Sequence, residues 1–254
     1  MGDINNLRRQ YHEELAKCPL GYRKRTDIPN IADGDSPTSV KLSQLLVKKL
    51  GHLRPGTWHF STSQVKRGIA AFDQYEHLGH LQDILNQNAE LMAALGGDYL
   101  ITPDIIVARQ AEPDKVINAT GILLQADDNV VAYSPLRERN VPNCPRILHA
   151  SISCKWTIRS DRAQNTRTEA LNLIRNRKGN APHIMAVTCE PLPNRLACLA
   201  LGTGDLDCLY HAALSELLAA IDEVGCSDQK ELMQSLVQGR RLRDISDLPM
   251  DLAV

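Results

Sequence analysis

The sequence predicts an α/β protein with a central mixed sheet and helices on both sides, and three observations predict it. Residues 147–158 alternate strictly: Leu148, Ala150, Ile152, Cys154, Trp156 and Ile158 fall on one side, and His149, Ser151, Ser153, Lys155 and Thr157 on the other. Period-two alternation of this length marks a half-buried strand. Short apolar runs at 98–107 and 183–189 add two buried strands. Helical periodicity at 3–17, 206–221 and 227–239 supplies the covering layers.

In chain order, residues 3–17 form a short amphipathic helix, with Ile4, Leu7, Tyr11 and Leu15 on one face. Residues 20–38 are polar and punctuated by Pro29, Gly34 and Pro37, and Asp33 to Pro37 reads as a turn carrying carboxylates. A helix follows over 40–50, closed by Gly51, and a short strand begins at Trp58 and Phe60. A long helix is expected over 64–85 and another over 88–95, stopped by Gly96-Gly97. In the strand of 98–107, Pro103 removes a ladder donor, so that strand is an edge or bends there. Asp104 then sits at an irregular point among apolar neighbours, as a turn residue or as a ligand.

Residues 110–146 read as a loop-rich hairpin region with strands at 122–124 and 130–133. Helix is expected over 166–177, strands over 183–189 and 196–201, then an amphipathic helix from 206 capped by Thr203 or Asp205. Ser227 caps the last helix, which ends at Gly239. Gly202-Thr203-Gly204 lacks the third glycine of a dinucleotide fingerprint and the lysine of a phosphate loop, and reads as a turn. Without repeats or a low-complexity linker, residues 1–254 form a single domain.

Composition narrows the function. The net charge is −1, yet residues 155–178 carry seven bases against two acids, a local +5. That basic stretch is a solvated face or an anion surface. The seven cysteines show no CxxC spacing, which argues for free thiols in a reducing, cytoplasmic compartment and against a disulfide frame or a zinc site. The start has no apolar signal core and no membrane-spanning run occurs. His149 and His183 border strands, but no serine or cysteine motif accompanies them, which disfavours nucleophilic hydrolase chemistry.

Three groups converge on one chemistry: Asp104 on a kinked strand, Lys155 on the long strand, and Glu169 at the start of the following helix. Two carboxylates hold hard divalent ions that bridge phosphate oxygens, and a lysine can hold the attacking water and stabilise phosphate charge. Beyond the strand, Arg159, Asp161 and Arg162 have the donors and acceptors to read G·C pairs; the alternative is an ion-pair network within the cluster. Cys154 alternates onto the apolar side as a core thiol, although its backbone carbonyl could ligate a metal.

The block Ser151-Ile152-Ser153-Cys154-Lys155-Trp156-Thr157-Ile158-Arg159-Ser160-Asp161-Arg162-Ala163-Gln164-Asn165 closely resembles the core of the NgoMIV-type restriction endonucleases. So do Ile101-Thr102-Pro103-Asp104-Ile105-Ile106-Val107, Leu201-Gly202-Thr203-Gly204 and Asp244-Ile245-Ser246-Asp247-Leu248-Pro249, in the same order, over roughly residues 51–254. The resemblance implies the PD-(D/E)xK nuclease fold, with Ser153 in the usual acidic position and Glu169 filling the space from the helix. It also implies magnesium dependence, homotetramers holding two double-stranded DNA sites, a partner role in a restriction-modification system, and cleavage within GCCGGC to leave 5′ overhangs. Arg159, Asp161 and Arg162 would read the central base pairs.

Residues 1–50 depart from that family. Between the Asp33-Gly34 turn and the following helix the chain lacks a family segment carrying an additional active-site acid and an outer-base contact. Asp35 and Ser36 lie near the junction. The rival reading is therefore a DNA-binding protein of the same fold that does not cut.

Overall fold

The computed structural model describes residues 4–17, 49–62, 68–95, 100–125, 131–139, 141–202 and 204–254. The expected turn at 33–37, Asp35, Ser36, most of the expected helix over 40–50, and Thr203 lie outside the described residues. The central element is a sheet in the order β1-β2-β3-β4-β5-β6. Its strands are β1 Trp58–Thr62, β2 Ile105–Arg109, β3 Ile147–Lys155, β4 His183–Thr188, β5 Cys208–His211 and β6 Leu242–Asp244. The first two pairings are antiparallel and the remaining three parallel, so the sheet is mixed, as expected.

Parallel neighbours in sequence order need crossovers, and right-handed crossovers in one direction place their helices on the same side of the sheet. Helices α5 Ser160–Asn176, α6 Pro193–Ala200, α7 Leu214–Val224 and α8 Ser227–Gln238 are those connections. Their residues Ala163, Leu196, Leu217 and Leu236 share one buried cluster with Ala186 and Leu209 of the sheet. Helix α1 Ile4–Lys17 joins them through Leu7 and Tyr11, each 1% exposed. Ile4, expected on the same face, is exposed at the helix start. The opposite side of the sheet is covered by Leu50 and by Leu248 and Leu252 at the short C-terminal helix α9, Leu248–Asp251. Among the described residues, fourteen from β2–β5, this cover and their neighbours form that second core.

The alternation of β3 breaks at one position. Val107 pairs with Ala150 but Ala108 pairs with Leu148, so His149 is an extra, bulged residue. The bulge moves Leu148 across the sheet to pack with Ile106, Ala108 and Ile184, away from Ala150 and Ile152. His149 turns the other way and donates from Nε2 to the carbonyl of Leu252 at 2.7 Å, edge-on to Trp58. Burial lowers its pKa to about 4, so it is neutral there.

Several elements differ from the sequence reading. The helix expected over 64–85 is α2 Glu76–Asn86, preceded by two 3₁₀ turns at Gly68–Ala71 and Asp73–Tyr75. Gly68 has φ +55°, and a Cβ there would meet the carbonyl oxygen of Ile101 at 2.6 Å, so a continuous helix cannot run through it. Helix α3, Ala89–Leu95, matches expectation, with Asn88 Oδ1 accepting from the amides of Glu90 and Leu91. Strand β2 begins after Pro103 and pairs on both sides; it bends at Asp104 and is not an edge. Residues 122–124 are not a strand: Ile122 is 82% and Leu123 74% exposed. Residues 131–133 form a turn, following the one-turn helix α4, Asp114–Ile117. The expected strand at 196–201 is helix α6, whose Leu196 and Leu199 are buried at helical spacing behind Pro193. The apolar run from 206 holds strand β5 before helix α7 begins at Leu214. Helix α8 is capped by Cys226 with Gln229, one residue before the expected Ser227.

Candidate active site

The site forms where β2 starts and β3 ends. The two strands are antiparallel, so the first residues of β2 face the last residues of β3. Pro103 has no amide to offer a ladder, and the chain bends at Asp104 immediately before β2. That bend aims the Asp104 carboxylate across the strand. Its Oδ2 accepts from the Cys154 amide at 2.7 Å and from Lys155 Nζ at 2.9 Å. The two side chains are only 16% and 17% exposed, so the ion pair is largely shielded from solvent. Among the described residues nothing donates to the other carboxylate oxygen.

Period two puts Ser151, Ser153 and Lys155 on the side of the sheet that α5 covers. The contact is direct: Ser153 Oγ lies 3.5 Å from Thr166 Oγ1, which in turn donates to the carbonyl of Arg162. Glu169 follows Thr166 by three residues, hence on the same helical face. Its carboxyl is held above the usual range, first by burial; Lys155 pulls it down and Asp104 pushes it up. Glu169 therefore shares one electrostatic site with Lys155 and Asp104. The sequence reading placed Glu169 at a helix start. It stands in the third turn of α5, because that helix begins at Ser160 and not near residue 166.

Cys154 points away from this group, into the second core, and is fully buried. Burial drives its thiol pKa far upward, so no thiolate is available. Its amide is spent on Asp104; only its carbonyl remains as a ligand. Among the described residues no three His, Cys, Asp or Glu side chains are grouped to hold a metal ion. Two carboxylates with backbone oxygen nearby nevertheless suit a hard ion that keeps most of its water, which needs one or two carboxylates and no full protein cage.

The basic cluster lies one element further on. Arg159 is the N-cap of α5, with Asp161 and Arg162 in its first turn, so these residues sit on a helix and not on an extension of the strand. Arg159 and Asp161 are exposed. Arg162 makes only long contacts to Thr157, 3.4 Å to the carbonyl and 3.3 Å to Oγ1. Neither arginine forms an ion pair with Asp161 among the described residues, which removes the support for an internal ion-pair network.

Sequence reasoning missed Glu190. It is 0% exposed and lies just past β4. Its Oε2 accepts from the Ile158 amide at 2.8 Å and from Arg195 at 3.4 Å, and its Oε1 from the Leu192 amide at 3.2 Å. It thereby ties the linker between Lys155 and Arg159 to the neighbouring strand. The one signal was an acid directly after the apolar run that ends at Cys189.

A mixed sheet that brings an acid, a strand lysine and a helix glutamate together at one end is consistent with a restriction-endonuclease fold. The comparisons with known proteins make this specific. The family model described as NgoMIV restriction enzyme matches residues 36–254. A relative, the type II restriction enzyme NgoMIV of Neisseria gonorrhoeae, is 52% identical over 213 residues, covering 83% of this chain and 73% of that protein. The chain belongs to the NgoMIV restriction enzyme family. Helix α1 precedes the matched range.

Proposed function

We infer that this chain is a type II site-specific deoxyribonuclease that hydrolyses double-stranded DNA with a divalent metal ion. The observation that carries the reading is the Asp104–Lys155 pair at 2.9 Å, with Glu169 sharing its field, in a member of this family. Magnesium is the ion this donor set suits, held by Asp104 and Glu169 with the Cys154 carbonyl completing the protein ligands. When bound, it would neutralise charge on the scissile phosphate and lower the pKa of a bound water.

The chain's own residues then divide the work. Asp104 fixes the Lys155 ammonium and the Cys154 peptide at once. Lys155 stands where it can orient water and meet charge developing on the phosphate. Ser153, small and buried, leaves space in which the Glu169 carboxylate can take the acidic role from the helix. Arg159, Asp161 and Arg162 read the central base pairs from the start of α5, with GCCGGC or another CCGG-core sequence as the site and 5′-phosphate, 5′-overhanging ends as products. Because β3 runs into α5 through four residues, Trp156 to Arg159, the reading and cutting groups are mechanically adjacent.

The reading extends to residues 1–254 as one restriction-endonuclease-like domain acting as a cytoplasmic homotetramer on two DNA sites. Three exposed apolar side chains are compatible with self-association: Ile122, Leu123 and Tyr133 are 82%, 74% and 97% exposed. Among the described residues no helix is long and apolar enough to cross a membrane. The test is incubation of plasmids carrying one or two GCCGGC sites with and without magnesium, followed by end mapping. Metal-dependent cutting at the site, faster on the two-site plasmid, is expected. Specific binding with no cleavage in any divalent metal would instead establish the non-cutting DNA-binding protein.

A further inference from the structure

We propose that the cavity between helix α1 and the linker entering α5 binds a backbone phosphate of the recognised duplex, with Arg8 as its ligand. The proposal rests on the DNA-cleaving function inferred above. The cavity measures about 260 Å³ and is lined by Arg8 and His12 of α1, Thr157 and Arg159 of the linker, and Arg195 over Glu190. It lies outside the Asp104–Lys155–Glu169 group, and α1 lies outside the range matched by the family.

Charge decides what this cavity can hold. Among the described lining residues Glu190 is the only carboxylate; it is fully buried and is already engaged by the Ile158 and Leu192 amides and by Arg195. It neutralises one of the three arginines and leaves a surplus of two positive charges. Among the described residues, the side chains of Arg8 and Arg159 make no ion pair or hydrogen bond. Arg8 is partly buried and Arg159 exposed; an anion brought from outside would match their charge, and arginine's planar fork suits phosphate oxygens. Arg159 in its lining is the N-cap of a 17-residue helix, whose dipole adds positive potential.

Arg8 is rigidly placed for this. Its neighbour Leu7 and, one turn on, Tyr11 are buried in the core that α1 shares with α7. Gln10 donates to Glu223 of α7 at 2.5 Å, fixing the helix rotation. Since Arg159 lies both in this cavity and at the start of the base-reading turn, the phosphate held by Arg8 belongs to DNA flanking the bases that this turn meets.

The test measures equilibrium binding of the full-length protein in calcium to a GCCGGC duplex and to a duplex with one central base pair changed, across a salt series. Arg8→Ala and Arg8→Gln are compared with Arg8→Lys. A phosphate contact predicts that the slope of log K against log salt shrinks by about one for Ala and Gln, with equal weakening on both duplexes. Lys retains the slope. Thermal melting within a degree or two of wild type accompanies it, because among the described residues the side chain has no partner to lose. An unchanged slope in variants that melt normally overturns the proposal and leaves the endonuclease reading standing. Weakening on only one duplex overturns it in favour of base contact. Wild-type protein that binds neither duplex overturns both readings.

Discussion

Replacing Lys155 by methionine separates chemistry from folding in this site. Methionine keeps the unbranched stem and removes the ammonium. In the folded protein that ammonium sits 2.9 Å from Asp104 Oδ2, with both side chains under a fifth exposed, and it restrains a Glu169 carboxyl that burial pushes up. A charge-assisted hydrogen bond of this kind contributes about 1.5–3 kcal/mol in isolation. The folded protein recovers part of that, since Asp104 keeps the Cys154 amide at 2.7 Å and Glu169 can take up a proton once the lysine is gone. A stability loss of roughly 1–2 kcal/mol is therefore expected. The chemical loss is larger. Removing one group aimed at developing charge in a shielded site typically lowers the rate by about 10²–10³, equivalent to roughly 2.7–4 kcal/mol of barrier. Single-turnover cleavage of a GCCGGC duplex in magnesium reads the second quantity, and thermal melting reads the first. Binding to the same duplex in calcium should stay near wild type. Cleavage within tenfold of wild type would refute the assignment, as would loss of binding in step with loss of cleavage.

Two further outcomes follow from the same geometry. Glu169→Gln should cut at least about a hundredfold more slowly and yet melt higher than wild type at neutral pH. The folded carboxyl is raised above its ordinary 4.5 by burial, so its stability contribution is full at lower pH and is lost as pH rises and the buried group ionises. The melting advantage of the variant should shrink toward pH 4, and a variant less stable than wild type at every pH would contradict this. Arg162→Ala should cost about 1–3 kcal/mol of discrimination at one central G·C pair, measured by competition binding with each position varied singly. Its contacts to Thr157 are 3.3–3.4 Å long, so melting should change little; uniform weakening on all sequences would mark a phosphate contact.

The site's components were legible in the sequence because each has a local cause. Pro103 enforces the bend that frees Asp104, and alternation alone puts Ser153 and Lys155 on one side of β3 and the Cys154 thiol on the other. Motif blocks in fixed order carried the family. Periodicity failed where an apolar run is short or changes element. Residues 196–201, expected as a strand, are helix, and the run from 206 hid a strand before its helix.

Tertiary structure decided the rest, through contacts distant in sequence. Gly68 interrupts its helix because the Ile101 carbonyl lies where a side chain would stand. The bulge at His149 exists because the β2 register and the Leu252 carbonyl both claim that segment. Glu169 belongs to the site although it stands in mid-helix, since Thr166 against Ser153 fixes how α5 lies on the sheet. Glu190 gained its place in the same way, from an amide thirty-two residues earlier that has no ladder partner of its own. Local chemistry thus named most of the candidate groups, and long-range packing of the sheet against α5 set which of them share one electric field.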